Sequence, residues 1–239
     1  MAARHKAMAK LARSGAAEAA PTLTIPREWT FRSKHVAEAF DRHVREQLPW
    51  YDIATGALAH FARHYVPQGG TVIDVGCSTG NVGRALAPML AAREASLIGI
   101  DNSSEMARVY DAPGQFIVKD AREFDFRRHA PDLVVCFLSL MFVPVADRAA
   151  LVERLVDAVR LGGAVIVFDK FEPRQGYLGT VNYRLTLAAK YEAGAAPEEI
   201  IRKELSIAGV QRPMRSVDLP GFVEVFRFGD FAGFVREKP

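Results

Sequence analysis

Apolar positions recur along the chain in two rhythms, short continuous runs and longer stretches with an apolar residue every third or fourth position. This alternation predicts strands and helices in turn. Behind Ser33, a natural N-cap, Val36, Phe40, Val44 and Leu48 share one helical face, and Pro49 ends that helix. A second helix is expected from about residue 52, with Ile53, Leu58, Phe61 and Tyr65 turned inward. Residues 71–83, T-V-I-D-V-G-C-S-T-G-N-V-G, predict a buried strand through Val72, Ile73 and Val75, then a glycine turn and a helix beginning near Asn81. Residues 97–101 and 115–119 are further short strands, and Ser103 caps a short helix between them. Residues 132–140 form the most continuous apolar run and predict a central fourth strand. An amphipathic helix over 147–160 follows, with Leu151, Leu155 and Val159 inward and Gly162 at its left-handed cap. Residues 164–168 are the fifth strand.

From there the pattern departs from a simple strand–helix alternation. Residues 176–194 and 197–208 predict two more helices, the second opened by Pro197-Glu198-Glu199 as helix starts prefer. Residues 222–228 and 231–236 then alternate about Gly229-Asp230 and predict an antiparallel hairpin. The expected fold class is α/β and Rossmann-like, a seven-stranded, mostly parallel sheet with an antiparallel C-terminal hairpin and a helical insert before the last two strands. The insert is positioned to be a substrate lid or a dimer surface.

A chain of 239 residues, 49% of them hydrophobic, can bury one large core, so one domain is expected over 29–239. Its N-terminal helices (29–66) would cover a ligand, and its insert spans 174–210. Residues 1–28 are expected to be a basic tail. The net charge of +3 lies within residues 1–20, where Arg4, Lys6, Lys10 and Arg13 face only Glu18, and the rest of the chain is balanced. The body therefore lacks a basic footprint for nucleic acid, and only the tail could contact phosphates. No apolar stretch has the length of a signal or a membrane span. Cys77 and Cys136 sit at predicted strand ends, which points to a reduced, cytoplasmic protein without disulfides or a metal site.

The candidate chemistry lies in the turn after the first strand. Gly76 and Gly80 permit close backbone approach to a ligand, but Ser78 stands where a dinucleotide fingerprint needs its middle glycine. A pyrophosphate is disfavoured. Asp101 ends the second strand, where an acid accepts ribose hydroxyls. A ribose acid without a phosphate cradle implies a nucleoside, S-adenosylmethionine. Asp74 and Asn102 flank the same turn and strand end, Asp120 either accepts an adenine amino group or caps a turn, and Ala121 follows it. Trp50 and Tyr51, at the break between the first two helices, either cover the adenine or sulfonium or pack those helices together. The fourth strand lacks Asn-Pro-Pro-Tyr, Asp-Pro-Pro-Tyr and Pro-Cys, which disfavours amino- and carbon-5-directed DNA methylation.

Taken together, these residues resemble the class I S-adenosylmethionine-dependent methyltransferases and, within them, the carboxy-S-adenosylmethionine synthases of tRNA wobble-uridine modification. The likeness covers residues 31–235. It includes V-A-x-x-F, Pro49-x-Tyr51, V-I-D-V-G-C-S, I-D-N-S, D-R-x-A-L, G-G-A-V-I-V with D-K-F, and P-E-E-I. The resemblance implies a cofactor site of Tyr51, Gly76, Cys77, Ser78, Asp101, Asn102, Asp120 and Ala121. Two departures bear on the reaction. Glu204 follows Lys203 where the synthases place an Arg that grips the extra carboxylate, and Phe137 stands where they carry Asn. A carboxylate gains an attraction from Arg and meets repulsion from Glu, each about 4 kcal/mol at ~4 Å and a surface-like dielectric before solvation losses. Arg202 or Lys203 would have to turn inward to hold it.

The expected activity is therefore methyl transfer from ordinary S-adenosylmethionine to an unidentified acceptor, with Tyr177, Tyr183, Arg184, Glu204 and Glu172 as candidates beside that acceptor. Carboxy-S-adenosylmethionine synthesis from prephenate is the alternative, with carboxy-S-adenosylmethionine as the bound species. A non-catalytic interaction module using the same fold is the third. Val181, Leu185, Ile200 and Ile201 on the insert suggest a homodimer or a folded-back lid.

Overall fold

The computed structural model describes residues 23–173 and 176–239. The charged residues of segment 1–20, on which any tail contact with nucleic acid depends, lie outside the described residues. Helix α1 (Lys34–Gln47) opens at Ser33, whose Oγ accepts the Val36 N–H at 3.4 Å. Helix α2 (Tyr51–Ala62) begins directly after the Pro49-Trp50 break. Its buried stripe runs through Tyr51, Ala54, Thr55, Leu58 and Ala62, mostly small residues that allow close packing on α3 (Asn81–Ala92). Ile53, expected inward, is 68% exposed, because it falls one position off that stripe.

The sheet is built from β1 (Thr71–Val75), β2 (Ser96–Asp101), β3 (Gln115–Val118), β4 (Leu133–Phe137), β5 (Ala164–Lys170), β6 (Val223–Phe228) and β7 (Phe231–Glu237). Their order is β3-β2-β1-β4-β5-β7-β6, with β1 to β5 parallel and β7 antiparallel to both β5 and β6. This is the expected seven-stranded, mostly parallel sheet. The strand order reverses between β1 and β4, so a crevice opens outside their carboxyl ends, where ligands of such sheets bind.

Two cores sandwich the sheet. Ile73, Val134 and Val165 cluster with Leu151 and Leu155 of α5 (Val145–Ala158); Val72, Leu133 and Ile166 cluster with Leu58 of α2 and Leu86 of α3. Each fully buried Leu or Ile contributes roughly 1.5–3 kcal/mol. Trp50 belongs to the second core, its ring 4.3 Å from Phe231 and 6.2 Å from Phe228, and it packs helix against hairpin without reaching the crevice. Strand β4 stops at Phe137, short of the predicted residue 140. Leu138 takes φ +56° and the chain turns into a 3-10 turn, Leu140–Phe142. The apolar continuity there reflects burial of the turn, as Leu140 is fully enclosed.

After a short α4 (Ser104–Val109), capped by Ser103, the chain continues to β3 as expected. The insert folds as α6 (Tyr177–Glu192) and α7 (Pro197–Ser206). Arg148 of α5 ties its return segment to the β4 exit. The fully buried guanidinium donates to the carbonyls of Met141, Val143, Arg212 and Pro213 at 2.5–3.2 Å, with Asp218 at 3.7 Å as counter-charge. This explains the Arg of D-R-x-A-L, since only a guanidinium fork reaches four acceptors. Arg148→Met is expected to destabilise the fold by about 3 kcal/mol or more, because buried carbonyls lose their donors. In denaturant unfolding its midpoint should fall well below those of wild type and of the exposed control Arg108→Met; equal midpoints would contradict this role.

Candidate functional site

A cavity of about 250 Å3 occupies the crevice at the ends of β1, β2 and β4. Its floor is the turn after β1. Gly76 adopts φ +74°, and a Cβ there would lie 2.5 Å from Ser139 Cβ. The glycine is thus required by the β4 exit as well as by the turn, a constraint beyond ligand approach. Gly80, at φ +96°, is the left-handed cap of α3 and does not line the cavity. A Cβ on it would meet Ala112, so its need is packing.

Asp101 accepts the N–H groups of Ser78 at 3.0 Å and Ser103 at 2.9 Å, which orients its carboxylate at the cavity wall. Burial raises its pKa, against the pull of those donors. Of the two roles that the sequence left open for Asp120, the structure shows the turn cap, at a position on the cavity wall. It caps the 3-10 turn Ala121–Glu123 through the Arg122 N–H, and it lines the cavity with Ala121. The Arg122 guanidinium bonds to it and holds its carboxyl below the usual range. Tyr51, Asp74, Cys77, Ser78, Asn102 and Phe137 also line the cavity. Tyr51 meets Phe137 edge-on at 5.3 Å, with Arg45 5.1 Å from its ring centroid. Burial pushes the Cys77 thiol up, so it stays protonated.

The N-terminal helices are fastened to this floor by polar bonds. Asp41 accepts from Thr79 Oγ1 and from the Arg84 guanidinium. Arg45 donates to Asn81 Oδ1 at 3.0 Å, and Asn81 to Thr55 Oγ1 at 3.0 Å. Above them the Trp29 N–H donates to Ser206 O at 2.9 Å, and Ser103 Oγ to Phe31 O at 2.6 Å. Trp29 and Phe31 therefore close the cavity between α7 and the sheet.

Of the acceptor-side candidates, Glu204 alone lines the cavity. Tyr177 and Tyr183 are 74% and 44% exposed, and Arg184 and Glu172 are also on the surface. Three lysines surround Glu204: Lys170 and Lys190, which sequence reasoning missed, and Lys203, the one of the Arg202–Lys203 pair that does turn inward. Lys190 Nζ lies 2.9 Å from Glu204 Oε1. Burial would raise the Glu204 pKa, but the charges of Lys190 and Lys170 outweigh it and hold the carboxylate ionised. Lys203 sits over the Trp29 ring; burial and then Lys190 bring its pKa down to about 6. The repulsion expected from Glu204 is therefore answered by Lys190.

Among the described residues, the buried side-chain polar atoms without a hydrogen-bond partner are His43 Nε2, Gln47 Oε1, both Asp74 oxygens and Ser139 Oγ. All four residues line this cavity. Buried polar atoms without partners are costly, so their convergence marks a place shaped for a polar ligand. The sequence did carry a signal for two of them: His43 and Gln47, one turn apart, interrupt the inward face of α1.

The methyltransferase domain family matches residues 72–163, the segment from β1 to the residue before β5. A carboxy-S-adenosyl-L-methionine synthase of Staphylococcus epidermidis is 29% identical over 227 residues, 89% of this chain and 98% of its own. That of Wolinella succinogenes is 30% identical over 222 residues, 86% of this chain and 92% of its own. A Methanococcus maripaludis protein assigned as an S-adenosyl-L-methionine-dependent methyltransferase shares the fold, with a TM-score of 0.52 at 15% identity over 88% of this chain and 95% of its own. The protein is an S-adenosylmethionine-dependent transferase, and its chain belongs to the carboxy-S-adenosyl-L-methionine synthase family.

Proposed function

We propose that the protein catalyses methyl transfer from S-adenosylmethionine to an acceptor bound at the lysine-lined end of the cavity. The observation that carries this reading is Phe137. At the end of β4 it presents an apolar wall against Tyr51, with no hydrogen bond to offer a carboxylated cofactor there. Asp101 would hold the ribose, Asp120 and Ala121 the adenine, and Asp74 and Ser139 the amino-acid end, where their unpartnered atoms fit an ammonium group. Bound S-adenosylmethionine supplies a methyl group already activated by its sulfonium. The chain contributes alignment and exclusion of water, through Trp29, Phe31 and Tyr51, without a dedicated base.

One observation favours the second reading, synthesis of carboxy-S-adenosylmethionine from prephenate: with Glu204 bonded to Lys190, Lys203 offers within the cavity an amine that a nearby carboxylate would hold protonated. Mass spectrometry of the small molecule released from purified, denatured protein separates the two. Methyl transfer predicts S-adenosylmethionine or its demethylated product; a species heavier by one carboxylate overturns it in favour of the synthase. The exposed insert residues Val181, Leu185 and Ile201, joined by Leu205, support a homodimer, whereas Ile200, also expected on that surface, is buried in the fold.

Two further outcomes follow from this cofactor assignment. Asp41→Ala, which unfastens α1 from the turn, is expected to weaken S-adenosylmethionine binding by about 10-fold in calorimetry, the size of one lost charge-assisted bond. Glu38→Ala, at an exposed position on the same helix, should leave it unchanged. Burial, then the charge of Asp101, raises Asp74 from 3.8 to about 8. The folded state then binds this proton more tightly than the unfolded state. Stability without cofactor should thus fall as pH rises from 3.8 to about 8. Asp74→Asn should flatten that fall in unfolding experiments across the window and lower affinity for the cationic cofactor; an unchanged pH slope would contradict the assignment.

A further inference from the structure

The turn-side orphans, Asp74 and Ser139, are accounted for by the cofactor; His43 and Gln47 are not. They lie on α1 at 5% exposure each, and burial, then Lys203 and Lys190, bring the His43 pKa down to about 3, so the imidazole is neutral. His43 stacks on Trp29 with ring centroids 5.3 Å apart, and Lys203 lies over the same indole. Among the described residues Lys203 forms no ion pair, since the carboxylate beside it is bonded to Lys190. The wall next to this group is aromatic: Trp29, Phe31, Phe40 and Phe142 form a chain of edge-on contacts with centroids 4.9–5.9 Å apart. One end of the cavity thus combines an amine without an ion-pair partner, a buried amide oxygen lacking a donor, a neutral imidazole nitrogen without a partner, and flat apolar surfaces.

We propose that this end is a subsite for an aromatic acid bearing a hydroxyl group, its carboxylate on Lys203, its ring against Phe31 and Phe142, and its hydroxyl donating to Gln47 Oε1. This deepens the methyl-transfer reading and rests on it, naming the acceptor's chemical class. A carboxylate beside the Lys203 amine favours its charged form, and so restores the proton that burial draws from it. A hydroxyl hydrogen answers the amide oxygen and leaves an oxygen lone pair free to act as nucleophile. Transfer to that oxygen forms a C–O bond as the C–S bond breaks, sulfur keeping the electron pair and the hydroxyl proton passing to solvent. His43 Nε2 supplies a second polar contact that either tautomer can make.

The test is calorimetric titration of the full chain, saturated with S-adenosylhomocysteine, using 3- and 4-hydroxybenzoate, benzoate and phenol. At least one hydroxybenzoate should bind about 10-fold or more tightly than benzoate and phenol, since each of these lacks one of the two polar contacts. Lys203→Met should weaken all three acids by a similar factor and leave phenol unchanged, and Lys203→Arg, which keeps a basic group there, should restore acid binding. Gln47→Leu should weaken the hydroxylated probes and leave benzoate unchanged. Thermal unfolding of each variant with S-adenosylhomocysteine reports that the fold is retained. Normal S-adenosylhomocysteine binding with no response to any probe, or equal weakening of all probes by both variants, overturns the subsite alone. Failure of S-adenosylhomocysteine to bind the wild-type chain removes the transferase reading and the subsite with it.

Discussion

The bond network between Asp41 and the turn after β1 is the constraint on which the site depends. Asp41 takes donors from Thr79 and Arg84, so one carboxylate fixes both the loop and the first turns of α3 to helix α1. Everything that makes the crevice a cavity follows from where α1 is held. It carries Phe40, His43 and Gln47 on its inner face, leads through Trp50 into Tyr51, and supports Trp29 by ring stacking on His43. Without that fastening the sheet would still present Asp101 and Asp120, but to solvent, where a hydrogen bond to a nucleoside competes with water and is worth little.

The enclosed volume is electrically divided. Carboxyl groups, Asp74, Asp101 and Asp120, gather at the β1–β3 ends, whereas Lys170, Lys190 and Lys203 stand against Glu204 at the insert side. A cationic sulfonium is attracted toward the first group and repelled by the second. Three lysines facing one carboxylate would all be charged only with a further anion alongside the cofactor. Either reading of the chemistry meets this condition, with an acidic acceptor in one and a carboxylated cofactor in the other. Glu204 moderates the cluster, leaving room for fewer negative charges than an Arg at its position would allow. Arg148 supports the same region from behind, joining the β4 exit to the segment that carries Gln211.

The sheet was legible because its strands are buried on both faces, which leaves apolar runs such as Leu133 to Phe137, and because Ser33 and Ser103 mark helix starts by local chemistry; Gly162, expected to cap the 147–160 helix, instead takes φ +79° in the turn before β5, because α5 already ends at Ala158 with Val159 extended. That these residues would meet at one crevice was legible for a related reason: Gly76, Ser78, Asp101 and Asp120 sit in or beside short turns whose geometry is local. Positions fixed by long-range packing were harder. Leu138 belongs to an apolar run but takes a positive φ that only the surrounding fold sustains, and Ile53 follows the helical period yet misses the stripe that α3 selects. The acceptor side was least legible. Lys190 and Lys203 come from two helices whose sequences look like ordinary solvated helices, and only their packing over the crevice turns these lysines inward. Tyr177, Tyr183 and Arg184 fall on the opposite, exposed face of the insert.

A crystal structure with S-adenosylhomocysteine bound tests the central claim most directly. The account predicts the ribose on Asp101, the adenine beside Asp120 and Ala121, and the sulfur in front of Phe137, looking toward Lys203. A ligand with its ribose away from Asp101, or with its sulfur turned from the lysine-lined end, would contradict it.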